Sequence, residues 1–126
     1  MPELGPSART LGARPGIDVP ALVTNEMVQP GQGGLSVSPD NPTNLPRYRR
    51  PAAFQGSGKD PVWMIEDADL GIDLMYRPDP RNASHGFIEP AQAMTLGEYQ
   101  RALQQTQQLW RKVTSWPTPG SSANAT

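Results

Sequence analysis

Few side chains in this chain are equipped for chemistry. His85 is the only histidine and there is no cysteine. Those counts exclude a multi-His metal site within the chain, a thiolate metal site and a thiol nucleophile. A Ser-His-Asp triad is formally available, but no serine sits in the G-x-S-x-G elbow that exposes such a nucleophile. His85 and Glu89 lie four apart in His85-Gly86-Phe87-Ile88-Glu89. In a strand, period two places 85, 87 and 89 on one face, opposite Gly86 and Ile88. A histidine and a carboxylate flanking an aromatic ring can move a proton and stabilise positive charge at an apolar cleft. The same pair serves equally well as ordinary strand side chains ahead of Pro90.

A second group is Arg47-Tyr48-Arg49-Arg50, a compact basic cluster beside an aromatic ring. Guanidinium forks match the oxygens of a diphosphate. Nucleic acid is another reading, and half of an ion-pair network is a third. Glu66, Asp67, Asp69, Asp73 and Asp79 could supply the other half. The formal net charge of −1 argues against a protein that binds nucleic acid through an overall basic surface. Gly31-Gln32-Gly33-Gly34 and Gly56-Ser57-Gly58-Lys59 look superficially like phosphate loops. The second lacks the Walker spacing and neither opens a helix, so both read as turns that use glycine's freedom at positive φ.

The elements that must hold these residues are short. The chain has 126 residues, 15 of them Pro and 12 Gly, about twice the usual share of these two types. That length is one small domain. No apolar run approaches the roughly 18 residues of a membrane span, and Met1 to Pro20 has no charged-then-apolar signal pattern. Residues 1–12 are expected to be a disordered tail, 13–116 a single domain and 117–126 a second disordered tail. Residues 13–30 read as an extended arm and 39–61, with five prolines, as a long loop. Strands are expected at 35–38, 62–65, 70–76 and 85–89, the last ended by Pro90. Thr95-Leu96-Gly97-Glu98 is a capping-box sequence. Leu96, Tyr99, Leu103, Thr106, Trp110 and Val113 continue it as one apolar stripe, which predicts a helix from Thr95 to a stop at Ser115-Trp116-Pro117. Arg111 and Lys112 would then suit its C-terminal dipole. The fold class is α+β: a single small domain of short mixed or antiparallel strands, with a C-terminal helix packed on the sheet.

Several segments carry a resemblance. Gly33-Gly34-Leu35-Ser36-Val37 follows Met27-Val28-Gln29-Pro30, and Asp69-Leu70-Gly71-Ile72-Asp73-Leu74 leads through Ser84-His85-Gly86-Phe87-Ile88-Glu89-Pro90-Ala91 to Met94. Together, over 13–113, these are similar to the small toxins of the type VI secretion effector group that have an ADP-ribosyltransferase-like fold. The resemblance implies a toxin acting in the bacterial cytoplasm on NAD as substrate, transferring ADP-ribose to a protein or nucleic-acid target or hydrolysing NAD. It also implies a cognate immunity protein or antitoxin, and it requires neither a metal nor a membrane. Ser36 matches the hydroxyl position beside the nicotinamide pocket, and His85 matches the family histidine. Glu89 stands where transferases of the wider fold often carry the carboxylate that stabilises the ribosyl cation. Ser38, Tyr76, Arg14, Arg47 and Arg49 are the expected dinucleotide contacts. Arg14 or the Arg47–Arg50 cluster would replace an N-terminal strand with a Tyr-Arg pair, which this chain lacks, and Leu35 stands where a second hydroxyl is expected. The competing class is a non-enzymatic protein–protein interaction module, an immunity, phage or secretion-apparatus partner. Its mark would be an exposed apolar patch at Phe54, Trp63 or Trp116.

Overall fold

A computed structural model describes residues 1–115 except Pro6 and Ala8. The described residues form three small antiparallel sheets. Strands β1 (Met27–Val28) and β6 (Met94–Thr95) pair with each other. Strands β2 (Leu35–Val37), β5 (Gly86–Pro90) and β4 (Leu74–Pro78) form a three-stranded sheet with β5 in the centre. Strand β3 (Val62–Met64) pairs with β7 (Arg111–Val113). Of these, β2, β3, β4 and β5 fall in segments expected as strands and β1, β6 and β7 do not.

The register of the central sheet decides which residues meet. Leu35 lies opposite Ile88 and Ser36 opposite Phe87, while Tyr76 faces Ile88 and Arg77 faces Phe87 across the other seam. Directly opposed residues share a face. Leu35, Val37, Leu74, Tyr76 and Ile88 therefore occupy one face, and Ser36, Met75, Arg77, Phe87 and Glu89 the other. Strand β4 starts four residues later than the expected 70. Asp67–Leu70 form a 3-10 turn instead, and Gly71, at φ 82°, redirects the chain ahead of β4. Strand β5 runs through Pro90 rather than stopping before it, because Pro90 is its last residue and its missing N–H leaves no gap inside the ladder.

Helix α1 (Leu96–Gln105) begins as its capping box dictates. The Thr95 hydroxyl accepts from the Glu98 amide at 3.1 Å, and the Glu98 carboxylate accepts from the Thr95 amide at 2.9 Å. The expected continuation to residue 115 does not occur. The Thr106 hydroxyl donates to the Leu103 carbonyl at 2.7 Å and accepts from the Trp110 indole at 2.9 Å, which closes the helix end with side-chain bonds. A 3-10 turn (Gln107–Leu109) follows, and Arg111–Val113 then pairs with β3. Without β7, the three-residue β3 would have no strand partner. Arg111 and Lys112 therefore serve a strand rather than a helix dipole, and Lys112 lies over the Trp63 ring at 6.0 Å.

The core joins Leu96, Tyr99 and Leu103 of α1 to Leu35, Leu74 and Ile88 of the sheet, with Val19, Ala21 and Val28 from the preceding arm. Residues 1–12, expected outside the domain, contribute to it. Leu11 is 3% exposed and belongs to the core, Leu4 and Leu11 form a parallel bridge, and the Gln107 side chain donates to the Pro2 carbonyl at 2.8 Å. The loop 39–61 is ordered into three 3-10 turns, at Pro42–Asn44, Arg47–Arg49 and Ala52–Phe54. The expected tail 117–126 lies outside the described residues.

Candidate functional site

Among the described residues, Glu89 is a charge with no exposed surface. Its Oε1 accepts from Arg77 Nε at 2.9 Å and from the Gly31 amide at 3.0 Å, and its Oε2 accepts from the Gly33 amide at 3.0 Å. Gly31 and Gly33 sit at φ 88° and 109°, a conformation that glycine adopts at low cost. Burial pushes the Glu89 carboxyl up. The Arg77 guanidinium and the two glycine amides together outweigh that and hold it below the ordinary carboxylate range. The Gly-rich hinge is thus a clamp on a carboxylate of the same chain, and Glu89 lies closed off from solvent.

His85 and Ser36 accompany Glu89 on this side of the sheet. His85 Nδ1 lies 2.9 Å from Asp79 Oδ2, and its ring meets Phe87 edge-on with centroids 4.8 Å apart. The Arg77 guanidinium lies over the Phe87 ring at 4.8 Å. The Arg81 amide first, then His85, hold the Asp79 carboxyl below its ordinary value. The expected trio of Ser36, His85 and Glu89 therefore shares one face with an arginine. Its members do not bond to one another: Arg77 and the two glycine amides take up Glu89, and Asp79 takes up His85.

The cleft lies on the opposite face. Helix α1 covers the Leu35–Leu74 end of that face, and the remainder opens on a cavity of about 400 Å³. Val37, Tyr76 and Ile88 form one wall, and Val62, Trp63 and Met64 of β3 with Val113 of β7 form another. Trp110 lines the cavity, and Ser38, Asp40, Asn41 and Arg49 border it from the chain that leaves β2. Ser36 borders it at the edge of β2, although its register partner is Phe87. Gly86 makes room for the Tyr76 ring, which a Cβ there would strike. Burial, with Asp40 adding to it, raises the Tyr76 phenol above its ordinary pKa, so the hydroxyl is a neutral donor at neutral pH. Asp40 adopts φ 66°, a left-handed conformation that aspartate tolerates better than most residues.

Four expected site residues thus border the cleft: Ser36, Ser38, Arg49 and Tyr76. The others lie elsewhere. Arg14 donates from Nε and Nη2 to Asp18, at 3.1 and 3.0 Å, and this pairing raises its pKa. Arg47 is exposed and is not among the lining residues. Glu89 and His85 lie across the sheet. Sequence reasoning missed Trp63, Trp110, Asp40 and Arg9 as cleft residues and Arg77 as the partner of Glu89. Parity along β4 would have placed Arg77 with Glu89 once the strand was taken to start at Leu74. Trp110 was absorbed into a helical stripe. Of the apolar positions a docking module would expose, Phe54 is buried, Trp63 lines the cleft, and Trp116 lies outside the described residues.

Comparison with known proteins gives one family. The sequence model described as Tse2 ADP-ribosyltransferase toxin matches residues 2–113, which includes the N-terminal segment beside the cleft. No curated protein and no solved structure matches the chain.

Proposed function

The chain belongs to the Tse2 ADP-ribosyltransferase toxin family, and from that premise we propose that it binds NAD in the cleft between the β2–β5–β4 sheet and the β3–β7 hairpin. The observation that carries this reading is the cavity itself. At about 400 Å³ it lies within the range of small-molecule sites, with apolar walls and a few polar groups at its border. Trp63 and Trp110 offer ring surfaces for the bases, Arg49 offers a guanidinium to the diphosphate, and Ser38 and Tyr76 offer hydroxyls to the ribose or carboxamide.

Cleavage breaks the bond between nicotinamide and ribose C1, and nicotinamide leaves with the electron pair. Positive character at the ribose needs a nearby carboxylate. Glu89 is fully engaged by three donors, so its part is to fix the Gly31–Gly33 loop and the sheet. The carboxylate we place at the ribosyl cation is Asp40, which borders the cleft and acts electrostatically on Tyr76. The acceptor of ADP-ribose is a target side chain or nucleotide in transfer, or water in hydrolysis. In this reading the toxin acts in the bacterial cytoplasm after delivery by a type VI secretion system, and a cognate immunity protein restrains it. No helix among the described residues is long and apolar enough to cross a membrane.

The test is inducible expression in a bacterium, with NAD measured in the same cultures, for the wild type, Arg49→Ala, Asp40→Asn and Glu89→Gln. Growth arrest that Arg49→Ala and Asp40→Asn relieve supports the cleft. Falling NAD in the arrested wild type indicates NAD-consuming chemistry, and arrest at constant NAD leaves a low-turnover transferase or a non-enzymatic toxin. Unimpaired growth with unchanged NAD in the wild type overturns the reading in favour of an interaction module.

A further inference from the structure

Arg9 is the second arginine on the cleft, and it is occupied. Its Nε donates to Asp60 Oδ2 at 2.9 Å and its Nη2 to Asp60 Oδ1 at 3.3 Å. The two residues are 51 positions apart, both line the cavity, and they come from different walls. Asp60 sits on the turn that enters β3. Arg9 lies in an N-terminal loop, two residues ahead of Leu11, whose amide donates to the Glu3 carbonyl at 2.7 Å. Both ends of that loop are anchored, one by Gln107 on Pro2 and the other by Gln100, whose amide bonds Ala13 on both its carbonyl and its N–H. Between the anchors, Arg9–Asp60 is the one ion pair among the described residues that joins the loop to the opposite wall.

We propose that the Arg9–Asp60 pair is a latch across the cleft, and that a diphosphate-bearing ligand opens it by taking the Arg9 guanidinium from Asp60. The inference rests on the NAD reading for its site and adds a means of regulating entry. Three arguments support it. The side chains are 70% and 48% exposed, and exposed ion pairs hold weakly and are screened by salt. A diphosphate presents the same two-oxygen geometry to the guanidinium that Asp60 presents, with more charge. Asp60 freed of Arg9 would then face the incoming anion, so the carboxylate opposes the ligand that the arginine favours. A ligand shifts such an equilibrium only through its differential affinity for the two states, and a phosphate-free ligand has none to offer Arg9.

The two halves of the pair therefore have opposite effects, which a merely structural ion pair would not show. Titration calorimetry of the full chain with ADP-ribose, NAD, inorganic pyrophosphate and nicotinamide riboside tests this. Arg9→Ala weakens ADP-ribose by about tenfold, the scale of one charge-assisted hydrogen bond. Asp60→Asn tightens it several-fold. Neither variant moves nicotinamide riboside, which carries no diphosphate, and raising salt narrows the difference between wild type and Asp60→Asn. If both variants shift ADP-ribose in the same direction, or neither does while NAD binds, the latch is overturned and the NAD site stands. If pyrophosphate and ADP-ribose bind with the opposite-signed pattern and NAD does not bind, the NAD reading falls and the latch stands. Absence of binding by every diphosphate compound to all three proteins overturns the latch.

Discussion

The three-stranded sheet presents Ser36, Arg77, Phe87 and Glu89 on one face and Leu35, Val37, Tyr76 and Ile88 on the other. On the first face the polar groups answer one another: Arg77 and two glycine amides on Glu89, Asp79 on His85. On the second face, apolar packing against α1 gives out beyond Leu74, and a cavity remains between the sheet and the β3–β7 hairpin. The residue types suggest the reverse assignment, since a histidine and a glutamate look more like an active site than a valine and an isoleucine. What decides is satisfaction. A buried carboxylate with three donors is part of the scaffold, and unfilled space bordered by a few polar groups is where a ligand can go.

If that division holds, substitutions on the self-satisfied parts cost stability and those at the cleft border cost binding. The largest expected effect is Leu103→Ala, which removes a residue 1% exposed from the covered end of the second face and should cost about 4 kcal/mol in urea denaturation. An unchanged midpoint would mean that α1 does not close that end. Glu89→Ala comes next, at about 3 kcal/mol. It strands Arg77 and two amides, and the figure is kept low because Arg77 retains 31% of its side-chain exposure. A variant as stable as wild type would show that the clamp holds nothing. Tyr99→Phe leaves the Leu35 amide and the Ile88 carbonyl without the hydroxyl that now lies 2.9 and 2.5 Å away, a loss of about 2 kcal/mol. Arg49→Ala should move stability by less than about 0.5 kcal/mol while weakening NAD. A drop in melting temperature without a loss of binding would move Arg49 to the scaffold.

The pH profile sharpens the same contrast. The folded Glu89 carboxyl is held below its ordinary value, so its contribution is complete above the unfolded carboxylate pKa of about 4.3. It is lost as pH falls through that value and the lower folded one. Acid melting of the wild type should steepen below that range, and Glu89→Gln should flatten the curve. Equal acid slopes for the two proteins would contradict the clamp.

Much of this architecture was legible residue by residue. The capping box at Thr95 and the alternation at Leu35–Val37 are local signals, and both elements formed. The family match over 2–113 bears out the toxin resemblance, and the small antiparallel strands with a helix on the sheet are as expected. Non-local terms hid the rest. Trp110 and Val113 continue the helical spacing of Leu103 and Thr106, but only the tertiary partner β3 turns 111–113 into a strand. The fate of Glu89 depended on a glycine loop some 58 residues away. The role of residues 1–12 depended on Leu11 reaching the core, and no periodicity in a Pro- and Gly-rich segment announces that.

The central claim is that the dinucleotide enters the Val37–Tyr76 face and not the Glu89 face. Amide and indole chemical shifts recorded during NAD titration of the ¹⁵N-labelled protein test it most directly. The account predicts shifts at the Trp63 and Trp110 indoles and at the Val37, Ser38 and Tyr76 amides, with Phe87, Arg77 and His85 little changed. Shifts confined to Arg77, Phe87, His85 and Glu89, with both indoles unmoved, would contradict it.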